Sequence, residues 1–108
     1  LRRVMIRILE IKYWKVIPGA EQDLEDPVWK FAKFAFKNLE AVFKFGFVHS
    51  GKYIDHVAFF FLWESEAGYE KWKGESTHNK EFQEWLAMVQ DGGQKHKMVD
   101  TDIIHLFN

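Results

Sequence analysis

The stretch from His56 to Ser65, HVAFFFLWES, constrains the fold most strongly, because every position in its middle is apolar. We interpret it as a strand, in which successive side chains point to opposite faces of a sheet. The two faces would carry Ala58, Phe60 and Leu62 on one side and Val57, Phe59, Phe61 and Trp63 on the other. Neither set favours contact with water, so both faces of the sheet need a cover.

The chain has 108 residues, which is enough for one domain and too few for a second core. Hydrophobic residues make up 47% of it and aromatic residues 18%, so disorder is excluded. A small core does not need this many large rings. The surplus predicts a subunit interface or an apolar ligand pocket.

Charge and composition exclude several functional classes. The formal net charge of −1 gives no indication of binding to nucleic acid or to an anionic membrane. Cysteine is absent, which excludes disulfides, thiolate catalysis and cysteine-ligated zinc. No apolar run is long enough to span a bilayer, and Arg7 and Glu10 interrupt the N-terminal apolar segment too early for a signal peptide. We therefore expect a cytoplasmic protein.

Segments with helical or strand periodicity alternate with breaks rich in Gly, Pro, Ser and Asp. The first strand ends at Pro18-Gly19, and a phase slip at Ile8–Leu9 predicts a β-bulge within it. Asp26-Pro27 is a good start for the first helix, and Ser65 caps the second. The predicted elements are strands at 4–17, 47–50, 56–63 and 98–107, and helices at 24–44, 66–73 and 78–90.

The order of these elements is the β-α-β-β-α-β pattern of a ferredoxin-like fold, an α+β architecture with helices on one face of an antiparallel sheet. The other face would then be bare and apolar, which is a liability in a soluble protein. A second copy of the chain, packed sheet against sheet, is the simplest cover. The sequence thus predicts a homodimer and places a ring-lined pocket between helices and sheet.

His78 is the polar residue of greatest interest in this predicted pocket. Phe82, Trp85 and Val89 follow it on the same face of the predicted helix 78–90, so its ring is expected to face the interior. Desolvation and the helix N-terminus both favour neutral imidazole, which could act as a general base or a hydrogen-bond donor. The alternative is a histidine that only fills the end of the helix.

Tyr69 and Trp72 lie one turn apart on the preceding helix and would form one wall of the pocket, or simply pack in the core. The five histidines do not have the spacing of a metal site, so no metal is expected.

Several short motifs resemble one known family. "PGAEQDLE", then "FGF", then "FLWESEAGYEKW" and "STHNKEF" are similar to the antibiotic-biosynthesis-monooxygenase-type domain of the dimeric α+β barrel superfamily. The resemblance covers the chain from about Leu9 onward. It implies a homodimer of ferredoxin-like chains.

Members of that family include oxygenases of polycyclic phenols that use no cofactor. They are thought to deprotonate the substrate, whose anion reacts with dioxygen directly, which requires a base and a dry aromatic enclosure. The resemblance implies such an activity on a small phenol-like or quinol-like ligand. His78 and Trp72 would be catalytic, and the substrate-binding residues would be Tyr69, Phe82, Trp85, Trp63 and Phe61.

Two alternatives remain open at this stage. The haem-degrading branch of the family uses a first-strand Asn, a Trp and a His ligand, and Trp72 falls at the Trp position. Lys12 occupies the Asn position, and the ligand position falls near Glu81 or Phe82, with His78 about one turn early. The other alternative is a non-catalytic dimeric module for ligand binding or stress response.

Overall fold

A four-stranded antiparallel sheet and three helices form the protein, described by a computed structural model over residues 6–19, 24–91 and 96–107. The elements are β1 (Ile6–Lys15), α1 (Glu25–Asn38), β2 (Ala41–Phe47), β3 (Val57–Trp63), α2 (Glu66–Glu75), α3 (Lys80–Gln90) and β4 (Lys97–Phe107). The strands lie in the order β2-β3-β1-β4. The α+β, ferredoxin-like fold class is confirmed, with the second helical segment of the pattern divided into α2 and α3.

Some predicted features fall beyond the part of the chain that the structure describes. The first two residues of the strand predicted at 4–17, and residues 20–23 within the PGAEQDLE motif, lie outside the described residues. Within the described ranges, none of the helices has the length and apolar character needed to cross a membrane.

The first helix ends earlier than predicted. Leu39 adopts an extended conformation, with φ −107° and ψ 140°, so α1 stops at Asn38 and β2 begins at Ala41. The predicted helix 24–44 and strand 47–50 are therefore wrong at this boundary. Val42 lies on a strand, where it is 52% exposed and does not extend the buried stripe of the helix.

β1 occupies the centre of the sheet, and its register determines which side chains face the helices. Its pairing with β3 runs without interruption from Ile8 opposite Trp63 to Trp14 opposite Val57. The bulge predicted at Ile8–Leu9 is wrong, because the register shift lies instead between Tyr13 and Trp14, against β4. Ile8, Glu10, Lys12 and Trp14 therefore face the helices together.

The helix-facing side of the sheet forms the core. Val57, Phe59, Phe61 and Trp63 of β3 share this face, as the alternation predicted, and form one buried cluster with residues of α1 and α3. The opposite face, here called the open face, carries apolar residues that stay partly exposed. Phe60 is 36% exposed, Ile104 41% and Val42 52%.

Two tyrosine–aspartate pairs lie at one end of the open face. The ring of Tyr53, from the β2–β3 connection, stacks on that of Tyr13 with 4.3 Å between centroids. The Tyr13 hydroxyl donates to the Asp102 carboxylate at 3.0 Å, and the Tyr53 hydroxyl donates to Asp100. The bond to Asp100 is the main cause that raises the pKa of Tyr53 from 10.0 to about 12. The same bond lowers the pKa of Asp100.

Replacement of Tyr53 should change how stability depends on pH. Because the pKa of Tyr53 is raised in the folded state, its contribution is fully present below pH 10.0 and is lost as the pH rises towards about 12. In urea unfolding, wild type should be more stable than Tyr53→Phe at pH 9, and this difference should shrink between pH 10 and 12. A difference that stays constant over that interval would contradict the assignment.

Candidate functional site

A partly enclosed cavity of about 240 Å³, here called the aromatic pocket, lies between the sheet and the helices. Half of its lining residues are aromatic, and β1 supplies its floor. The pocket is lined by Glu10, Lys12, Trp14, Phe31, Phe59, Phe61, Tyr69, Trp72, Lys73, Ser76, Phe82, Leu86, Gln90 and Met98.

Two well-capped helices supply one wall of the aromatic pocket. The Ser65 hydroxyl accepts a hydrogen bond from the Gly68 backbone N–H at 3.0 Å and starts α2, which places Tyr69 and Trp72 one turn apart on one face. Trp72 meets Phe82 of α3 edge to face, with 5.2 Å between ring centroids. Burial and then the charge of Glu10 raise the pKa of Tyr69, so its hydroxyl stays protonated at neutral pH.

The floor of the aromatic pocket holds an ion pair. Glu10 is only 7% exposed, and its Oε1 accepts a hydrogen bond from the Trp63 indole Nε1 at 3.2 Å. Its Oε2 lies 3.5 Å from the Lys12 ammonium. Because burial of an unpaired carboxylate would be very unfavourable, these two contacts are what allow Glu10 to lie in an apolar layer.

Trp14 continues the same row of the floor. It is 3% exposed, and its Nε1 is buried without a hydrogen-bond partner among the described residues. The register shift against β4 brings Met98, in place of Val99, opposite Trp14. Met98 thereby joins the lining, an example of a bulge that redirects a side chain at a cavity.

A second cleft of about 190 Å³ lies between α1 and α3. Trp85 borders this cleft and not the aromatic pocket, and its indole Nε1 donates to the Pro27 carbonyl at 2.8 Å. The cleft shares Phe31 and Phe82 with the aromatic pocket, which makes these two rings the partition between the cavities. The buried ion pair belongs to the aromatic pocket alone, so we take that pocket as the candidate site.

The structure brings together four of the residues predicted for the site. Tyr69, Trp72, Phe82 and Phe61 all line the aromatic pocket. Trp63 is 1% exposed and lies outside the lining, where its indole N–H holds the Glu10 carboxylate.

His78 does not lie where the sequence predicted. α3 begins at Lys80, with Asn79 as its N-cap, because the Asn79 side chain accepts from the Phe82 backbone N–H at 2.8 Å. His78 therefore falls in the turn between α2 and α3, where its backbone N–H donates to the Glu75 carbonyl at 2.9 Å. Its side chain is exposed. The prediction that the His78 ring faces the interior is wrong.

Sequence reasoning missed the polar floor of the pocket. Continued alternation from Ile8 places Glu10, Lys12 and Trp14 on the buried face, and this signal was hidden by the predicted phase slip.

Within residues 6–19, 24–91 and 96–107, no three His, Asp or Glu side chains converge as a metal site.

Comparison with known proteins identifies similar structures. No family model matches the chain, and no curated protein matches it. A NipSnap family protein from Agrobacterium tumefaciens is similar over 100% of this chain and 90% of its own, with a TM-score of 0.66 and 12% identity. A haem-degrading protein from Mycobacterium tuberculosis is similar over 95% of this chain and 91% of its own, with a TM-score of 0.54 and 13% identity.

A third similar structure is a possible oxidoreductase from Bacteroides thetaiotaomicron, with a TM-score of 0.58 and 8% identity over 96% of this chain and 98% of its own. At these identities the similarity establishes the fold that the chain shares with the three proteins. The ferredoxin-like fold of the single chain is the one that the family resemblance implied.

Removal of the Glu10 carboxylate should destabilise the protein. Glu10→Ala leaves the buried Trp63 indole N–H without its acceptor, which should lower the free energy of unfolding by about 1–3 kcal/mol. The matched control is Glu84→Ala, which breaks the exposed pair with Lys80 and should change stability by less than about 0.5 kcal/mol. Equal effects of the two variants in urea unfolding would contradict a stabilising buried pair.

Proposed function

We propose that the chain binds a small aromatic molecule in the aromatic pocket and oxidises it as a cofactor-independent monooxygenase, with a phenol-like or quinol-like substrate. The observation that carries the proposal is a ring-walled cavity whose floor holds an ion pair between the buried Glu10 and the half-buried Lys12. Ligand sites of proteins characteristically combine apolar walls with a few placed polar groups.

The volume of the cavity supports a ligand of one or two fused rings. An apolar protein cavity of about 150 Å³ can bind benzene, and the aromatic pocket measures about 240 Å³. Flat rings would pack against Trp72 and Phe82, which meet edge to face in its wall.

The proposed reaction uses the electron-rich anion of the substrate. In 1-naphthol, for example, the hydroxyl loses a proton, the naphtholate transfers electrons to dioxygen, and C–O bond formation at C4 followed by loss of water gives 1,4-naphthoquinone. One oxygen atom enters the product and the other leaves as water, so atoms and electrons balance. Glu10 is the carboxylate among the described lining residues and can accept the proton, while the Lys12 ammonium stabilises the enolate or phenolate oxygen.

The comparisons are consistent with an oxidative role, because the fold is shared with a possible oxidoreductase and with a haem-degrading protein. The pocket does not fit haem in the manner of the haem-degrading branch. Lys12 stands at the first-strand position where an Asn is expected, and no histidine is among the described lining residues. The cavity would also have to expand considerably to admit a four-pyrrole macrocycle. We therefore prefer a small substrate without haem.

Dioxygen uptake tests the proposed activity. Purified protein with a panel of hydroquinones and naphthols should consume dioxygen and yield the oxidised product. Trp72→Ala should lower turnover by about tenfold or more, because it removes a ring that positions the substrate. Phe36→Ala is the matched ring control, since Phe36 is 93% exposed on α1, and it should leave turnover unchanged.

Two outcomes of this experiment would count against the proposal. A panel with no uptake above the protein-free rate would contradict the activity. Loss of turnover in His78→Ala, as large as that in Trp72→Ala, would move the chemistry from the aromatic pocket to the exposed turn that holds His78.

We also propose that the open face is covered by a second copy of the chain. The partly exposed residues Phe60, Ile104 and Val42 form an apolar surface on this face, and a two-fold arrangement would bury the surfaces of both copies at once. Such an assembly would complete the α+β barrel implied by the sequence resemblance.

Sedimentation velocity tests the proposed dimer. Wild type should sediment as a dimer at micromolar concentration, and Ile104→Lys should shift it towards monomer, because a buried ammonium at the interface is unfavourable. Phe36→Lys changes a more exposed residue on α1 and should leave the dimer intact. A monomeric wild type would contradict the proposal.

A further inference from the structure

We infer that the aromatic pocket selects aromatic ligands that carry an anionic oxygen, and that the Lys12 ammonium and the Trp14 indole N–H bind this oxygen. The inference rests on the proposed function, since it names the class of substrate that the same pocket would accept. Phenolates and aromatic carboxylates share the required chemistry.

The geometry of β1 arranges three polar groups in one row. Residues two apart on a strand point to the same face and are separated by about 6.6 Å. Glu10, Lys12 and Trp14 therefore follow one another along the floor of the aromatic pocket, and all three belong to its lining. A ligand with one or two fused rings lying along this floor reaches two neighbouring positions of the row.

Two donors of this row have N–H groups that can bind a ligand oxygen. Both oxygens of Glu10 already have partners, the Trp63 indole N–H and the Lys12 ammonium. An ammonium has three N–H groups, and the pair with Glu10 does not use all of them. The Trp14 Nε1–H is buried and has no acceptor among the described residues, so it lacks the partner that buried donors normally have, and a ligand oxygen would contact it by displacing the neighbouring side chains that cover it.

The charge of the lining also favours an anion. Lys12 and Lys73 contribute two ammonium groups against the single carboxylate of Glu10, which leaves one positive charge around the cavity. The Lys12 side chain is 30% exposed, so it can reach the cavity while its pairing with Glu10 holds it in place. An oxygen anion between Lys12 and Trp14 would receive one charge-assisted and one neutral hydrogen bond.

Calorimetric titration with three ligands of nearly equal shape tests the inference. The probes are 1-naphthoate, the neutral 1-naphthylmethanol and the cationic 1-naphthylmethylammonium. We expect wild type to bind the carboxylate about tenfold more tightly than the alcohol and to bind the cation least. A separate titration with 4-nitrophenol, below and above the pH at which it ionises, shows whether a phenolate is bound in the same way as a carboxylate.

Variants of Lys12 and Trp14 test which residues cause the preference for 1-naphthoate over the alcohol. Lys12→Met should abolish the advantage of 1-naphthoate over the alcohol, and Lys12→Arg should restore it because the charge is kept. Trp14→Phe retains a ring and should weaken binding of 1-naphthoate about threefold to tenfold. Lys80→Met, an exposed lysine on α3 outside the pocket, is the control and should have no effect. If Lys12→Met does not fold, the Lys12→Arg and Trp14→Phe results still decide the inference.

Failure of the inference is distinguishable from failure of the proposed function. Equal binding of carboxylate and alcohol, or strongest binding of the cation, would overturn the inference while leaving an aromatic pocket in place. Absence of binding for all three probes would overturn both. Selective binding of the anion without dioxygen uptake would support the inference and contradict the proposed oxygenase.

Discussion

The central position of β1 in the sheet determines which of its charged side chains face the helices. Because β1 is paired on both sides, a one-residue slip would move Ile8 and Trp14 out of the core. Glu10 and Lys12 must therefore face the helices, although burial of charge opposes it. The Trp63 indole N–H and the mutual ion pair offset that cost. An apolar pair at these positions would often be equally stable, so stability alone does not require a polar pair here, whereas the proposed ligand binding would.

The fold could be predicted because its clearest sequence patterns each fit only one type of secondary structure. The fully apolar run in β3 fits a strand buried on the helix side, and Ser65 is an unambiguous cap for α2. The end of α1 could not be predicted from periodicity alone. Leu39 and Val42 continue the helical spacing, while Val42 and its neighbours also alternate as a strand. Tertiary pairing with β3 decides in favour of the strand.

The site was predicted only in part. The rings of α2 and α3 follow from helical spacing, and Tyr69, Trp72 and Phe82 do lie together. The histidine was misplaced because α3 begins two residues later than predicted, with Asn79 as its N-cap. The polar floor was missed because hydrophobicity alone indicates the buried face of a strand, and Leu9 and Ile11 are more hydrophobic than Glu10 and Lys12. A strand in the centre of a sheet can nevertheless direct its charged side chains inward.

The proposed binding of an aromatic anion requires Trp14 to face the ligand in the aromatic pocket. The five tryptophan indole N–H groups give separate signals in a ¹⁵N–¹H correlation spectrum, which can be assigned by Trp→Phe variants. On addition of 1-naphthoate, the Trp14 and Trp72 signals should shift in proportion to occupancy, while the signal of Trp29, which is 56% exposed on α1, should not move. Shifts confined to Trp29, or a Trp14 signal that is unchanged at saturation, would contradict the account.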